Sequence, residues 1–188
     1  MERIFVTSDT HFGHNQEFLY GKRGFRSADE MNRELVYRWN QSVREEDVVY
    51  HLGDVYLSGD ENAEWLRQVN GHVRLIRGNH DTDQKVKRLL NSGAIESAVW
   101  ADTLSYAHKQ FYLGHFPTII GDPNALEKGL RHRMLDLYGH THQTTSFWND
   151  RPFLYHVGVD SHDLAPVLLD QVIEDMKQKL AERSGHGR

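Results

Sequence analysis

Val73-Arg74-Leu75-Ile76-Arg77-Gly78-Asn79-His80-Asp81 is the stretch on which the fold turns. Val73 to Ile76 is a β-rich run, and Gly78 closes it in a turn that sets three polar side chains directly after the strand. A helix follows through Val86, Leu89 and Leu90. The same pattern stands twice upstream, where Ile4 to Thr7 runs into Ser8-Asp9 and Val48 to Leu52 runs into Gly53-Asp54. After a polar loop from Thr10 to Ser27, a helix opens at Ser27-Ala28-Asp29-Glu30. Ser27 is the expected N-cap and Glu30 the other half of a capping box, with Met31, Leu35, Val36 and Trp39 at helical spacing behind them. Another helix is expected from about Glu61 to Val69, with Trp65, Leu66 and Val69 on one face. Strands alternating with helices imply βαβ units and a largely parallel sheet.

The second half reads as successive strands, Ile95 to Trp100, Thr103 to Ala107 and Gln110 to Leu113, with His108-Lys109 as a hairpin turn. Leu135 to Tyr138 and Phe153 to Val157 follow as strands, the polar segment Asp122 to Arg133 as a short helix at most, and Gln171 to Glu182 as an amphipathic helix. No repeat, low-complexity tract or linker interrupts the chain, so one domain over residues 1–183 with a frayed tail at 184–188 is expected.

Composition narrows the functional classes. A chain of 188 residues with 38% hydrophobic and 26% charged residues can bury one sizeable core. A net charge of −5 argues against a general binder of nucleic acid or acidic membranes. The absence of cysteine excludes disulfides and thiolate metal sites. No apolar run approaches a membrane span, and the start is too polar for a signal peptide, so a cytoplasmic protein without membrane contact is expected. Histidine is in surplus, with 13 residues against four methionines. No histidine run marks a tag, which leaves metal ligation and proton transfer.

The chemistry stands at the strand ends. Asp9-Thr10-His11, Asp54, Asn79-His80-Asp81, Gly114-His115 and Gly139-His140-Thr141-His142 each follow a strand, and in open α/β sheets ligands bind beyond those ends. Residues two apart on an extended segment share a side, so Asp9 with His11 and His140 with His142 can each reach one centre. The set Asp9, His11, Asp54, Asn79, His115, His140 and His142 mixes oxygen and nitrogen donors. That suits manganese, iron, zinc or nickel rather than a dedicated magnesium or calcium site. Seven donors fit two divalent ions ~3.5–4 Å apart, with one carboxylate bridging. Two carboxylates against two dications leave a positive centre that attracts phosphate, and a hydroxide bridging the ions would attack phosphorus in line.

The order Asp-x-His, Gly-Asp, Gly-Asn-His-Asp, Gly-His, Gly-His-x-His resembles the calcineurin-like metallophosphoesterase family over residues 4 to about 160. Asp9-Thr10-His11-Phe12-Gly13-His14, with Trp39-Asn40 and then His51-Leu52-Gly53-Asp54, is most similar to small stand-alone bacterial or phage members. The resemblance implies an α/β fold, a four-layer αββα sandwich with a mixed sheet. It also implies that Asp9, His11 and His142 hold one metal ion, that Asn79, His115 and His140 hold the other, and that Asp54 bridges. His80 would be the acid facing the leaving oxygen, and Asn79 would also touch the phosphate. Protein Ser/Thr phosphatases of the superfamily carry Asp-Arg-Gly after Gly-Asp, where this chain has Val55-Tyr56-Leu57-Ser58-Gly59, which sets that branch aside and leaves the carboxylate partner of His80 open.

The expected activity is therefore a dinuclear metal-dependent phosphoesterase, a phosphodiesterase on a small or nucleotide-like substrate, with manganese the first metal to assay. The alternatives are a nucleotide or sugar phosphatase, a nuclease, for which the chain is short and acidic, and a silent scaffold, which predicts missing ligands. His14 is placed beside the substrate or behind the ligands, and His51 and His156 in structural roles. His72, His108, His132, His162 and His186 read as surface residues. Lys22, Arg23 and Arg26, and Arg131-His132-Arg133, are candidate phosphate grips whose commoner reading is a solvated loop. Phe12, Tyr56 and Phe116 neighbour the motifs and could stack on a base or simply pack.

Overall fold

A computed structural model of the protein describes residues 3–118 and 134–185. Strands β1 (Ile4–Thr7), β2 (Val48–His51), β3 (His72–Ile76) and β4 (Ser97–Val99) lie side by side and parallel. The next four, β5 (Ala101–Tyr106), β6 (Lys109–Gly114), β7 (Met134–Tyr138) and β8 (Leu154–His156), form a second sheet in that order. There β5 runs antiparallel to β6, while β6, β7 and β8 are parallel. The last strand, β9 (Val167–Leu168), returns to the first sheet antiparallel to β1. Both sheets are therefore mixed.

The period of two along each strand sends alternate side chains to opposite faces. Phe5, Val49, Val73 and Leu75 pack outward against Met31, Leu35 and Trp39 of one helix and Val86 and Leu89 of another. Val6, Val48, Tyr50 and Ile76 pack inward against Phe111, Leu113, Leu135 and Leu137 of the second sheet. Among the described residues the α-helices are α1 (Glu17–Tyr20), α2 (Ala28–Ser42), α3 (Asp83–Asn91) and α4 (Leu169–Gly185). α4 adds Val172, Ile173 and Met176 to the inter-sheet core. The result is an α/β sandwich with two mixed sheets, as the resemblance implies. Among the described residues no helix is long and apolar enough to cross a membrane.

Several expectations shift. Residues Asp60–Gln68 form a 3-10 helix rather than an α-helix. Ala63 and Leu66 are buried and Val69 packs behind them, every third residue, which is the 3-10 period. The expected strand from Ile95 to Trp100 is only Ser97–Val99, and it belongs to the first sheet, so the chain changes sheets at an exposed Trp100. The hairpin turn is Ala107-His108, one residue earlier than expected, because Tyr106 pairs with Lys109. Both turn residues have positive φ, 47° and 58°, which matches the strand twist. Ser27 accepts from the Glu30 amide as a cap should, but the Glu30 carboxylate reaches the amide of Arg26 rather than of Ser27. α1 and β9 were not anticipated, and residues 122–133, read as a short helix at most, lie outside the described residues.

Asp136 carries a testable electrostatic cost. It points away from the inter-sheet core between Leu135 and Leu137 and, among the described residues, accepts one hydrogen bond, from the Thr118 amide at 2.7 Å. Its other oxygen is buried without a partner, and burial pushes the carboxyl up to about 7. An unfolded aspartate titrates near ~3.9, so the native state holds this proton more tightly and loses stability as pH rises between those values. Asp136→Asn should therefore gain on the wild type in urea unfolding between pH 5 and pH 8. A difference that does not change with pH would contradict this.

Candidate metal centre

The carboxyl ends of β1, β2 and β3 meet those of β6 and β7 at one edge of the sandwich, and two groups of donors form there. Asp9, His11 and His142 make one, and Asp54, His115 and His140 the other, with the donor atoms of each group within 4.8 Å of one another. In the first, His11 Nε2 lies 3.1 Å from His142 Nε2, and each lies 3.9 Å from Asp9 Oδ1. In the second, His115 Nε2 lies 3.4 Å from Asp54 Oδ2 and 3.2 Å from His140 Nδ1. Asn79 joins it with Oδ1 at 3.1 Å from His115 Nε2. Asp54 Oδ2 also lies 3.7 Å from His11 Nε2, so one carboxylate reaches both groups.

The seven expected residues thus converge, but not by the route expected. Asp9 and His11 do not sit on an extended segment, nor do His140 and His142. Their φ values are 58°, 48°, 68° and 48°, and Asp54 adds 60°. Such left-handed residues without glycine cost about 1–3 kcal/mol each and persist only where the surroundings over-determine them. Here Asp9 N donates to Gly53 O at 2.9 Å, His11 N to Asp54 O at 3.1 Å, and His140 N to Asp9 Oδ2 at 2.9 Å. Among the described residues, five of the twelve non-glycine positions with positive φ are candidate ligands. Gly78 is needed because a Cβ there would stand 2.2 Å from Asp54 Oδ1. At Gly53 a Cβ would meet His115 Nδ1 at 2.5 Å.

Charge and hydrogen bonding fit cations. His115 donates Nδ1–H to Leu52 O at 2.7 Å, which turns Nε2 into the centre. Burial lowers His11 well below its ordinary range, leaving it neutral. Burial opposes ionisation of Asp54, yet the His115 imidazole hydrogen-bonded to it holds the carboxyl below the usual range. Asp9, buried without a comparable partner, is pushed up to about 6, despite the pull of His115 and His142 and the Ser8 hydroxyl it accepts from. Ring nitrogens and buried carboxylates gather into two clusters of nitrogen and oxygen donors, and that donor chemistry suits divalent metal ions.

His80 donates its backbone N–H to Asp54 Oδ1 at 2.9 Å, and its half-exposed ring has Nε2 4.0 Å from Asp54 Oδ2. The carboxylate beside it in sequence is not its partner. Asp81 is buried and accepts the amides of Asp54 and Gly78 at 2.8 Å and of Val55 at 3.1 Å, clasping the second motif to the third. Lys85 acts alongside, donating to Tyr56 O at 2.8 Å and His80 O at 3.0 Å. Only the place of Asp81 inside Gly-Asn-His-Asp hinted at this role, and nothing in sequence singled out Lys85.

A cavity of about 860 Å³ opens beside the centre, reached by His11, His80 and His142 on one side and by His14, Phe18 and Lys22 on another. His14 also sets its ring edge-on to Phe18 at 5.2 Å. His51 is buried, neutral with its pKa lowered by burial to about 3, and paired with the Thr10 hydroxyl at 3.0 Å. His156 is likewise buried, bonded to Ser161 Oγ at 2.8 Å. His162, expected at the surface, is half-buried and stacked on Tyr155. Phe12 and Tyr56 are fully buried and cannot stack on a ligand, whereas Phe116 is half-exposed with its ring 4.6 Å from that of His140. Arg23 is neither a phosphate grip nor a solvated side chain, since its guanidinium is buried against Asp160. Arg26 pairs with Glu30 at the surface, and Arg131-His132-Arg133 lies outside the described residues.

A calcineurin-like phosphoesterase superfamily domain matches residues 2–163, and the chain belongs to that family of phosphoesterases, whose members use divalent metals. Among relatives, the gene 66 protein of Mycobacterium phage D29 is 32% identical over 93% of this chain and 96% of its own. That agrees with the small stand-alone phage type. An uncharacterized protein of Methanocaldococcus jannaschii is 44% identical over 84 residues, which are 43% of this chain and 48% of that one. Among solved structures, a protein of unknown function from Aquifex aeolicus has the same fold, with a TM-score of 0.71 at 20% identity over 93% of this chain and 99% of that chain.

Proposed function

We propose that the protein is a phosphodiesterase for small, nucleotide-like substrates that works with two divalent metal ions. Asp9, His11 and His142 would hold one ion, Asn79, His115 and His140 the other, and Asp54 would be shared. The observation that carries this reading is the position of Asp54 Oδ2, within 3.4 Å of His115 Nε2 and 3.7 Å of His11 Nε2. When bound, the ions would neutralise charge building on the phosphate oxygens and acidify a water for attack.

The chain's own residues supply the rest. His80 stands at the mouth of the cavity, where its Nε2 would hold a proton for the departing oxygen. The Asn79 amide would donate to a phosphate oxygen. The cavity, at about 860 Å³ within the ~300–1,000 Å³ range of small-molecule sites, has room for the second ester arm of a diester. Phe18, 62% exposed, and Lys22, with no ion-pair partner among the described residues, would face that arm.

The deciding assay compares bis(p-nitrophenyl) phosphate with p-nitrophenyl phosphate, with manganese, nickel, zinc and magnesium supplied separately. The diester should be preferred, and manganese should be among the activating metals. Preference for the monoester would replace this reading with a nucleotide or sugar phosphatase. No hydrolysis by folded, metal-loaded protein would leave a scaffold.

A further inference from the structure

We infer that Arg23 and Asp160 form a positioning clasp for the first metal group, holding His142 in one tautomer and fixing the backbone of Asp9 and Thr10. This rests on the reading that Asp9, His11 and His142 hold an ion. The Arg23 guanidinium meets the Asp160 carboxylate as a fork, Nε to Oδ1 at 2.7 Å and Nη2 to Oδ2 at 3.0 Å. The same group donates from Nη2 to Asp9 O at 2.7 Å and from Nη1 to Thr10 O at 3.1 Å. The same Oδ2 also accepts Nδ1–H from His142 at 2.8 Å, so the Nε2 lone pair of His142 faces Asp9 and His11.

One buried cation thus reaches two of the three ligands in the group, Asp9 through its backbone carbonyl and His142 through Asp160. The Arg23 side chain is 3% exposed and that of Asp160 12%. A pair so buried pays a desolvation cost that an apolar pair of similar volume would avoid, so stability alone is a weak reason for it. Its geometry supplies a better one. Asp9 and His142 both have left-handed backbones, with φ of 58° and 48°, and carbonyls of the Asp9 turn accept from the fork that orients His142. Only a planar, multidentate donor can do this, so lysine at position 23 would keep the charge and lose the function. Among the described residues the second group, Asp54, His115, His140 and Asn79, makes no hydrogen bond or ion pair with Arg23 or Asp160, and is oriented instead through Leu52 and Asp81.

The test is equilibrium dialysis of the full-length, metal-free protein against manganese, for the wild type, Arg23→Lys and Asp160→Asn, with near-ultraviolet circular dichroism reporting the fold. The wild type should take up two ions per chain. Each variant should keep one at near wild-type affinity and bind the other ~10–100-fold more weakly, the loss typical when a ligand's hydrogen-bond partner is removed. If Asp160→Asn does not fold, Arg23→Lys decides alone. Two ions bound with wild-type affinity by a folded variant would overturn the clasp, as would equal weakening of both, since a purely structural ion pair would not select one site. A wild type that binds no ion would remove the metal centre itself, and with it this inference.

Discussion

Asp54→Asn should lower kcat/KM for bis(p-nitrophenyl) phosphate by ~10³-fold or more, because several kcal/mol of charge stabilisation depend on the ion pair it would share. The substitution keeps shape and removes charge. Asp54 Oδ1 accepts the His80 amide at 2.9 Å, a bond an asparagine oxygen can still accept, so the third motif stays docked. What is lost is the anion between His115 and His11, and with it the negative charge common to both donor groups. His115 is held above its ordinary value because Asp54 and Asp9 outweigh the effect of its burial, so the variant should also shift how readily His115 protonates in the metal-free protein. Circular dichroism separates this from misfolding. Near-normal turnover by the folded variant would reject a shared carboxylate.

The second large effect concerns His80. Its ring is half-exposed at the cavity mouth, and its nearest carboxylate is Asp54 at 4.0 Å rather than Asp81, whose oxygens are taken by three backbone amides. A histidine so placed can hold a proton for an oxygen leaving into the cavity. His80→Ala should then cost ~10²–10⁴-fold on a diester with an alkoxide leaving group, which needs that proton. With nitrophenolate, which leaves well unprotonated, the loss should be only a few-fold. Parallel kinetics on the two substrates measure the difference, and equal losses would remove His80 from the role of acid.

The positions of the ligands were readable because chemistry and punctuation coincide in this chain. A β-rich run, a glycine and then Asp, Asn or His can be seen at Gly53-Asp54, Gly78-Asn79 and Gly139-His140 without coordinates. The core faces were readable for a similar reason, as in the alternation of Phe5 and Val6 between the two clusters. The left-handed backbones of Asp9, His11 and His142 were not, because aspartate and histidine tolerate that conformation better than most residues but adopt it only where surrounding contacts impose it. Asp81 and Arg23 look like ordinary charged loop residues until their partners are known, and those partners lie 27 and 137 positions away. β9 is two residues long and β4 three, too short for any pattern to announce them. The helix at Asp60–Gln68 is legible in the sequence but its 3-10 type is not, because Trp65, Leu66 and Val69 satisfy a helical face of either period.

The most direct test is to strip the protein with a chelator and titrate manganese back while following hydrolysis of bis(p-nitrophenyl) phosphate and the number of ions bound. A two-ion centre requires no hydrolysis in the stripped protein, and activity that reaches its plateau only as the second ion per chain is taken up. Hydrolysis without metal, or full activity with one ion bound, would contradict it.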